Sequence, residues 1–191
     1  MGETDIEKIK AQLNKVLSFV DPVFIEALQS LHKALENEQI EWAIGGALGE
    51  ALETIQVEPD CIEIITNKKG ASRIFSAAKE YNPKPIEFRS IKLDRNASVA
   101  GIDYPVYIRS CFFEFFLGCV KIKVFGDMQY KINEWDWGDT LEFIPDFVNV
   151  AGSKTAVVPL EVKYDLYRNL GWTDRAQKIE PIIRKRAQIS K

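Results

Sequence analysis

The chain is poor in the residues that most readily announce chemistry. It carries a single histidine, His32. With no second histidine and no cysteine beside it, His32 reads as a solvated side chain and not as a metal ligand or a general base. The three cysteines, Cys61, Cys111 and Cys119, are an odd number without metal-ligand spacing. They read as free, mostly buried thiols in a reducing compartment. Basic residues do not exceed acidic ones: 25 stand against 28, for a net charge of −3. That balance argues against a nonspecific nucleic-acid coat and leaves room only for a local basic patch. No run is long and apolar enough to span a bilayer, and the amino terminus lacks the charged-then-apolar form of a signal peptide. A cytoplasmic protein without membrane contact is the expectation. Internal repeats and low-complexity tracts are also missing.

What is present is ordinary for a globular protein, with 46% apolar and 28% charged residues. A chain of 191 residues suits one compact unit. Residues 5–20 carry Ile6, Ile9, Leu13, Val16, Leu17 and Val20 at helical spacing. Asp21-Pro22 caps and restarts a second helix to about Asn37, striped by Phe24, Leu28, Leu31 and Leu35. Further on, a helix is predicted over Gly70–Tyr81 and a strand over Ile86–Leu93. A polar turn region covers Asn96–Asp103, with strands over Tyr104–Phe116 and Cys119–Phe125 and a turn at Gly126-Asp127. Tyr130–Ile132, Leu141–Ile144 and Val148–Val150 are short strands or extended loop. Pro159 opens a helix with Leu160, Val162, Leu166, Tyr167 and Leu170. Gly171 punctuates it, and Thr173 or Asp174 caps a last helix to about Ala187. This order gives an α/β (α+β) fold: a helical segment over 1–40, a sheet core over 41–158 and a helical segment over 159–191, packed together.

The rest is organised around Trp42–Thr66. It reads as a strand (Trp42–Ile44), a Gly45-Gly46 corner, a helix from about Ala47 to Thr54, a proline-marked loop and a second strand, Cys61–Thr66. Glycines permit the sharp corner and expose amides at a helix start, where an anion is favoured. On the second strand Cys61, Glu63 and Ile65 share one face, and Ile62 and Ile64 the other.

This stretch resembles the nucleotidyltransferase fold of the polymerase-beta superfamily, whose signature is an apolar strand ending Gly-Gly or Gly-Ser, a helix, and a strand carrying Asp-x-Asp. It is similar to small prokaryotic nucleotidyltransferase-domain proteins with the pattern Val-Glu-Pro-x-Asp-Ile-Asp-Ile, onto which Val57-Glu58-Pro59-Asp60-Cys61-Ile62-Glu63-Ile64 falls. The likeness continues through Ile108-Arg109-Ser110, Ile122-Lys123-Val124-Phe125-Gly126-Asp127, Trp135 and Trp137, Pro159-Leu160-Glu161 and Leu170-Gly171-Trp172. It implies a mixed sheet with flanking helices and a pocket for a nucleoside triphosphate. In such enzymes three carboxylates hold two magnesium ions that stabilise the attacking and leaving oxygens of the transfer.

Here the resemblance departs. Its first Asp position is Cys61, its second Glu63, and its third carboxylate position Lys123. Magnesium wants hard oxygen donors, so a thiol and an ammonium remove most of the attraction. Asp60 on a regular strand faces away from Glu63 unless a bulge turns it inward. Glu50 reads as a solvated helix residue. Trp172 replaces an Arg that would contact phosphate.

Three readings of the pocket follow. Glu63 and Lys123 form an ion pair that neutralises an old metal site. Alternatively, Gly45, Gly46, Lys121, Lys123 and Arg109 bind a nucleotide or phosphorylated ligand without metal. Or the protein is an active transferase moving a nucleoside monophosphate to a small-molecule, protein or RNA acceptor, with Glu63 and Asp60 holding magnesium. A protein partner or homo-oligomer is a further expectation. Phe112, Phe113, Phe115 and Phe116 fill both faces of one strand and read mainly as core. Arg89 is either a phosphate contact or a surface residue. Lys178, Arg184, Lys185, Arg186 and Lys191 read as the basic end of a helix complementing its dipole.

Overall fold

The computed structural model describes residues 20–189. The helix expected over residues 5–20 therefore lies outside the described residues, apart from the buried Val20. Helix α1 spans Pro22–Leu35, with Pro22 in its first turn and the Asp21 carboxylate accepting from the Val23 N–H at 2.9 Å. Strand β1 (Trp42–Ile44) then runs into helix α2 (Gly46–Leu52), and β2 (Ile62–Thr66) into helix α3 (Lys68–Ala77). Asn67 caps α3 by accepting from the Gly70 N–H at 2.7 Å.

The strands that follow are β3 (Glu87–Lys92), β4 (Ala97–Val99), β5 (Ile102–Tyr104), β6 (Val106–Leu117), β7 (Val120–Ile132), β8 (Asp146–Val150) and β9 (Ser153–Val157). Helices α4 (Leu160–Asn169) and α5 (Thr173–Ile189) follow them. Seven strands form one mixed sheet in the order β3-β6-β7-β2-β1-β9-β8, with β2 parallel to β7 and β1 parallel to β9.

Strand alternation divides the sheet into two faces. Ile62, Ile64, Ile122, Val124, Phe113 and Phe115 point into a core closed by α1 and α3. Glu63, Lys123, Glu114, Phe112 and Phe125 occupy the opposite face, which α4 and α5 approach with a second apolar cluster built on Leu160, Tyr167, Leu170, Trp172 and Ile179. Thus Phe113 and Phe115 are core, and Phe116, at the far end of β6, is exposed.

The structure corrects several sequence expectations. The turn at Gly126-Asp127 is not a turn: β7 continues through it, and the irregularity is absorbed by a register shift in its pairing with β6 between Arg109 and Cys111. Asp127 adopts a left-handed φ of 52° there. The polar region at 96–103 forms the small β4–β5 hairpin. It docks onto the α4–α5 corner through Ser98 N–H to the Leu170 carbonyl at 3.0 Å and Trp172 Nε1–H to the Asn96 carbonyl at 2.7 Å. Residues 141–144 are irregular. His32 is half-buried and not fully solvated. It packs against Trp42 at 5.1 Å between ring centroids and lies 3.0 Å from Thr155 Oγ1, and burial lowers its pKa.

Candidate functional site

The glycine corner and the two central parallel strands build one cavity of about 480 Å³. Gly46 has φ +53°, and a Cβ added there would stand 2.5 Å from Glu63 Oε2. A residue without a side chain is therefore what lets α2 begin against the Glu63 carboxylate. The Gly45 N–H donates to the Glu63 carbonyl at 2.8 Å. That amide is consequently committed to the β1–β2 corner, contrary to the expectation that it faces an anion.

Glu63 stands directly opposite Lys123 in the β2–β7 register, and Lys123 opposite Glu114 in the β6–β7 register. Cys61 is buried in the bend before β2, with Sγ 4.0 Å from Glu63 Oε1. Burial pushes the thiol up to about 12, helped by the neighbouring Glu63 charge, so it is neutral at physiological pH. Burial likewise raises the Glu63 pKa, against the opposing pull of Lys123. For Lys123, burial alone would favour the neutral amine, but the net shift is upward, and with Cys61 neutral the opposing charge near physiological pH is that of Glu63.

Asp60 is exposed, yet its charge acts on Cys61, Glu63 and Lys123 alike. Strand parity does not govern it, because β2 begins only at Ile62.

Of the other residues expected to bind nucleotide, Gly45, Gly46 and Lys123 line the cavity together. Lys121 instead sits 5.8 Å from the Phe116 ring centre. Arg109 stacks on Trp137 at 4.5 Å and donates from Nε to Gln129 Oε1 at 2.7 Å. Neither lines the cavity. Arg89 does, lying 4.1 Å over the Phe112 ring. Trp172 is buried in the wall, with the Arg95 guanidinium 5.2 Å from its ring centre.

Sequence reasoning missed the layer beneath. Glu50 is not solvated: it is 3% exposed, accepts from the Tyr167 hydroxyl, and pairs with Arg175 at 2.7 Å. Glu53 is equally buried and pairs with Arg186 at 2.6 Å, and Arg186 also reaches Asp146 at 3.4 Å. Arg186 thus serves α2 and β8 rather than its own helix dipole. Lys163 is 4% exposed and lines the cavity from α4. One signal for it was available: Leu160, Lys163, Tyr167 and Leu170 fall at helical spacing on one stripe, which puts a lysine at a core position.

The cavity wall carries six cationic side chains, Arg89, Lys92, Arg95, Lys123, Lys163 and Arg175, against three carboxylates, Glu63, Asp94 and Glu114. In a molecule of net charge −3 this is a local inversion of sign. Magnesium does not fit the donor set at the strand centre, where a neutral thiol, one carboxyl and an ammonium replace hard oxygens. Among the described residues no group of three or more His, Cys, Asp or Glu side chains is arranged to hold a metal ion.

The chain has a nucleotidyltransferase fold. It superposes on a candidate nucleotidyltransferase, TM1012 of Thermotoga maritima, with a TM-score of 0.62 at 24% identity, covering 87% of this chain and 96% of that one. Weaker likenesses are to ANT(2'')-Ia in complex with adenylyl-2''-tobramycin (TM-score 0.49, 9% identity, 87% and 96% covered) and to the lincosamide antibiotic adenylyltransferase LnuA bound to lincomycin (TM-score 0.46, 12% identity, 82% and 96% covered). No family sequence model matches the chain. No curated protein matches it in sequence. Among the described residues no helix is long and apolar enough to cross a membrane.

Proposed function

We propose that this protein uses the nucleotidyltransferase fold to bind a nucleotide or other phosphorylated ligand without divalent metal, and does not carry out two-metal nucleotidyl transfer. The observation that carries the reading is the register of β2 against β7, which sets Lys123 face to face with Glu63. By the resemblance, that is where a third metal-binding carboxylate would stand. An ammonium there supplies the counter-charge that a metal ion supplies in the enzymes. The cationic wall and the rings of Phe112, Tyr130 and Trp172 in the same cavity suit a phosphate tail and a base. The work of this site would be recognition, as in a sensor or a partner subunit.

The test is calorimetric titration of each ribonucleoside triphosphate, with magnesium and then with a chelator. Binding of equal strength in both conditions is expected, with no pyrophosphate released. Binding that needs magnesium and releases pyrophosphate in a Glu63-dependent manner would reinstate the enzyme. Failure to bind in either condition would leave a scaffold that acts through its outer surface on a protein partner or a second copy.

A further inference from the structure

Among the described residues the Nζ of Lys163 is buried and donates to no hydrogen-bond acceptor, a rare condition for a group with three donors. Its place is defined by packing. A Cβ built on Gly49 would lie 2.9 Å from Nζ, so the bare backbone of α2 forms one side of its slot. Lys163 also lines the cavity that Glu63, Gly45 and Gly46 line, with its Nζ buried behind that wall. The charged groups facing it are Glu50 and Glu53 from α2, Glu63 from β2 and Arg175 from α5. Glu50 is already engaged by Tyr167 and Arg175, and Glu53 is engaged by Arg186 through Oε2 alone, so that Glu53 Oε1 also lacks a hydrogen-bond partner among the described residues.

We infer that Lys163 is the buried anion receptor of the cavity, contacting a phosphoryl oxyanion of the ligand from the α4 side while Lys123 holds it from the sheet side. The inference rests on the functional reading above and adds the residue and the linkage that reading lacks. Burial pushes the Lys163 amine down to about 8, so in the empty protein near that pH a large fraction is neutral. An oxyanion placed beside it favours the ammonium. Ligand binding should therefore draw in a proton, and affinity should fall as pH rises above about 8. A compact ammonium with rotatable donors suits a single phosphoryl group as a point charge.

The experiment is titration of inorganic pyrophosphate and of a ribonucleoside triphosphate, both in chelator, into parent, Lys163→Met and Lys123→Met. Each titration is run at pH 7.0 and 8.5 in two buffers of different ionisation enthalpy. Lys163→Met is expected to weaken binding on the order of ten- to a hundredfold. It should also abolish the proton uptake that the parent shows at pH 8.5. Thermal midpoints are expected to be unchanged or raised in Lys163→Met, because an unpartnered buried amine is lost.

Unchanged affinity in a folded Lys163→Met, or no proton uptake by the parent at pH 8.5, would overturn the inference and leave Lys163 as a counter-charge for Glu53. The functional reading survives that result if Lys123→Met still weakens binding. A parent that binds neither probe overturns both. The uptake measurement uses the parent alone, so it stands even if a variant does not fold.

Discussion

At the scale of single residues, the site differs from a metal centre by two side chains. Cys61→Asp combined with Lys123→Glu would place oxygen donors on either side of Glu63. Calorimetry should then detect magnesium or manganese binding that the parent lacks, and tight magnesium binding by the parent would refute the assignment. Glu63 also leaves a pH signature. Its folded-state pKa is raised, so its protonated form is favoured by folding. Its contribution to stability is present below the unfolded-state value and is lost as pH rises through the folded-state one. Glu63→Gln should therefore be more stable than the parent at pH 7 in denaturant titrations, with the gap closing toward pH 4. A gap that widens on acidification would mean that Lys123 dominates the carboxyl. Glu63 and Lys123 were legible because a two-residue period and one motif fix their face, and Cys61 because the same motif sets it two residues before Glu63. Lys163 left a trace in the stripe of Leu160, Tyr167 and Leu170, but Glu50 was not legible: it occupies a polar helix position buried against Tyr167 and Arg175, and burial by a distant element leaves no mark on local pattern.

At the scale of elements, α5 is held against α2 by Arg175 to Glu50 and Arg186 to Glu53. Removing one partner of such a pair strands the other in a poorly solvated site. Glu50→Ala should cost about 3 kcal/mol in equilibrium unfolding. Adding Arg175→Ala should cost much less than a second independent loss, because the stranded charge goes with it. Additive losses would show that the two side chains act separately. Element boundaries were legible where a cap or glycine marks them: Asp21-Pro22 opens α1, and Gly171, with φ +66°, ends the α4 region. They were misread at Gly126-Asp127, because a glycine inside a long strand gives the same local signal whether the chain turns or bulges. Gly126 is instead required by packing, since a Cβ there would stand 2.9 Å from that of Ala71 on α3.

At the scale of the whole molecule, the sheet is assembled from pairings of very different reach. The β6–β7 hairpin joins neighbours in the chain through Gly118, whereas Ile62 pairs with Ile122 and Ile44 with Val157. Closing a long loop costs entropy before its contacts form, so pairings distant in sequence limit the rate at which a chain reaches its native state. The β6–β7 hairpin with α3 against it is then the natural folding nucleus, and the single Ile44–Val157 rung the last seam to close. In stopped-flow chevrons Phe113→Leu should slow refolding, while Val157→Ala should mainly quicken unfolding. Equal slowing by Val157→Ala would place the seam in the transition state. On this order the cavity cannot exist until late: its glycine corner and its α4 wall both join β2 and β7 from outside the hairpin. A ligand that holds corner and wall together would act after the rate-limiting step. It would lengthen the lifetime of the native protein and leave the speed of its formation unchanged.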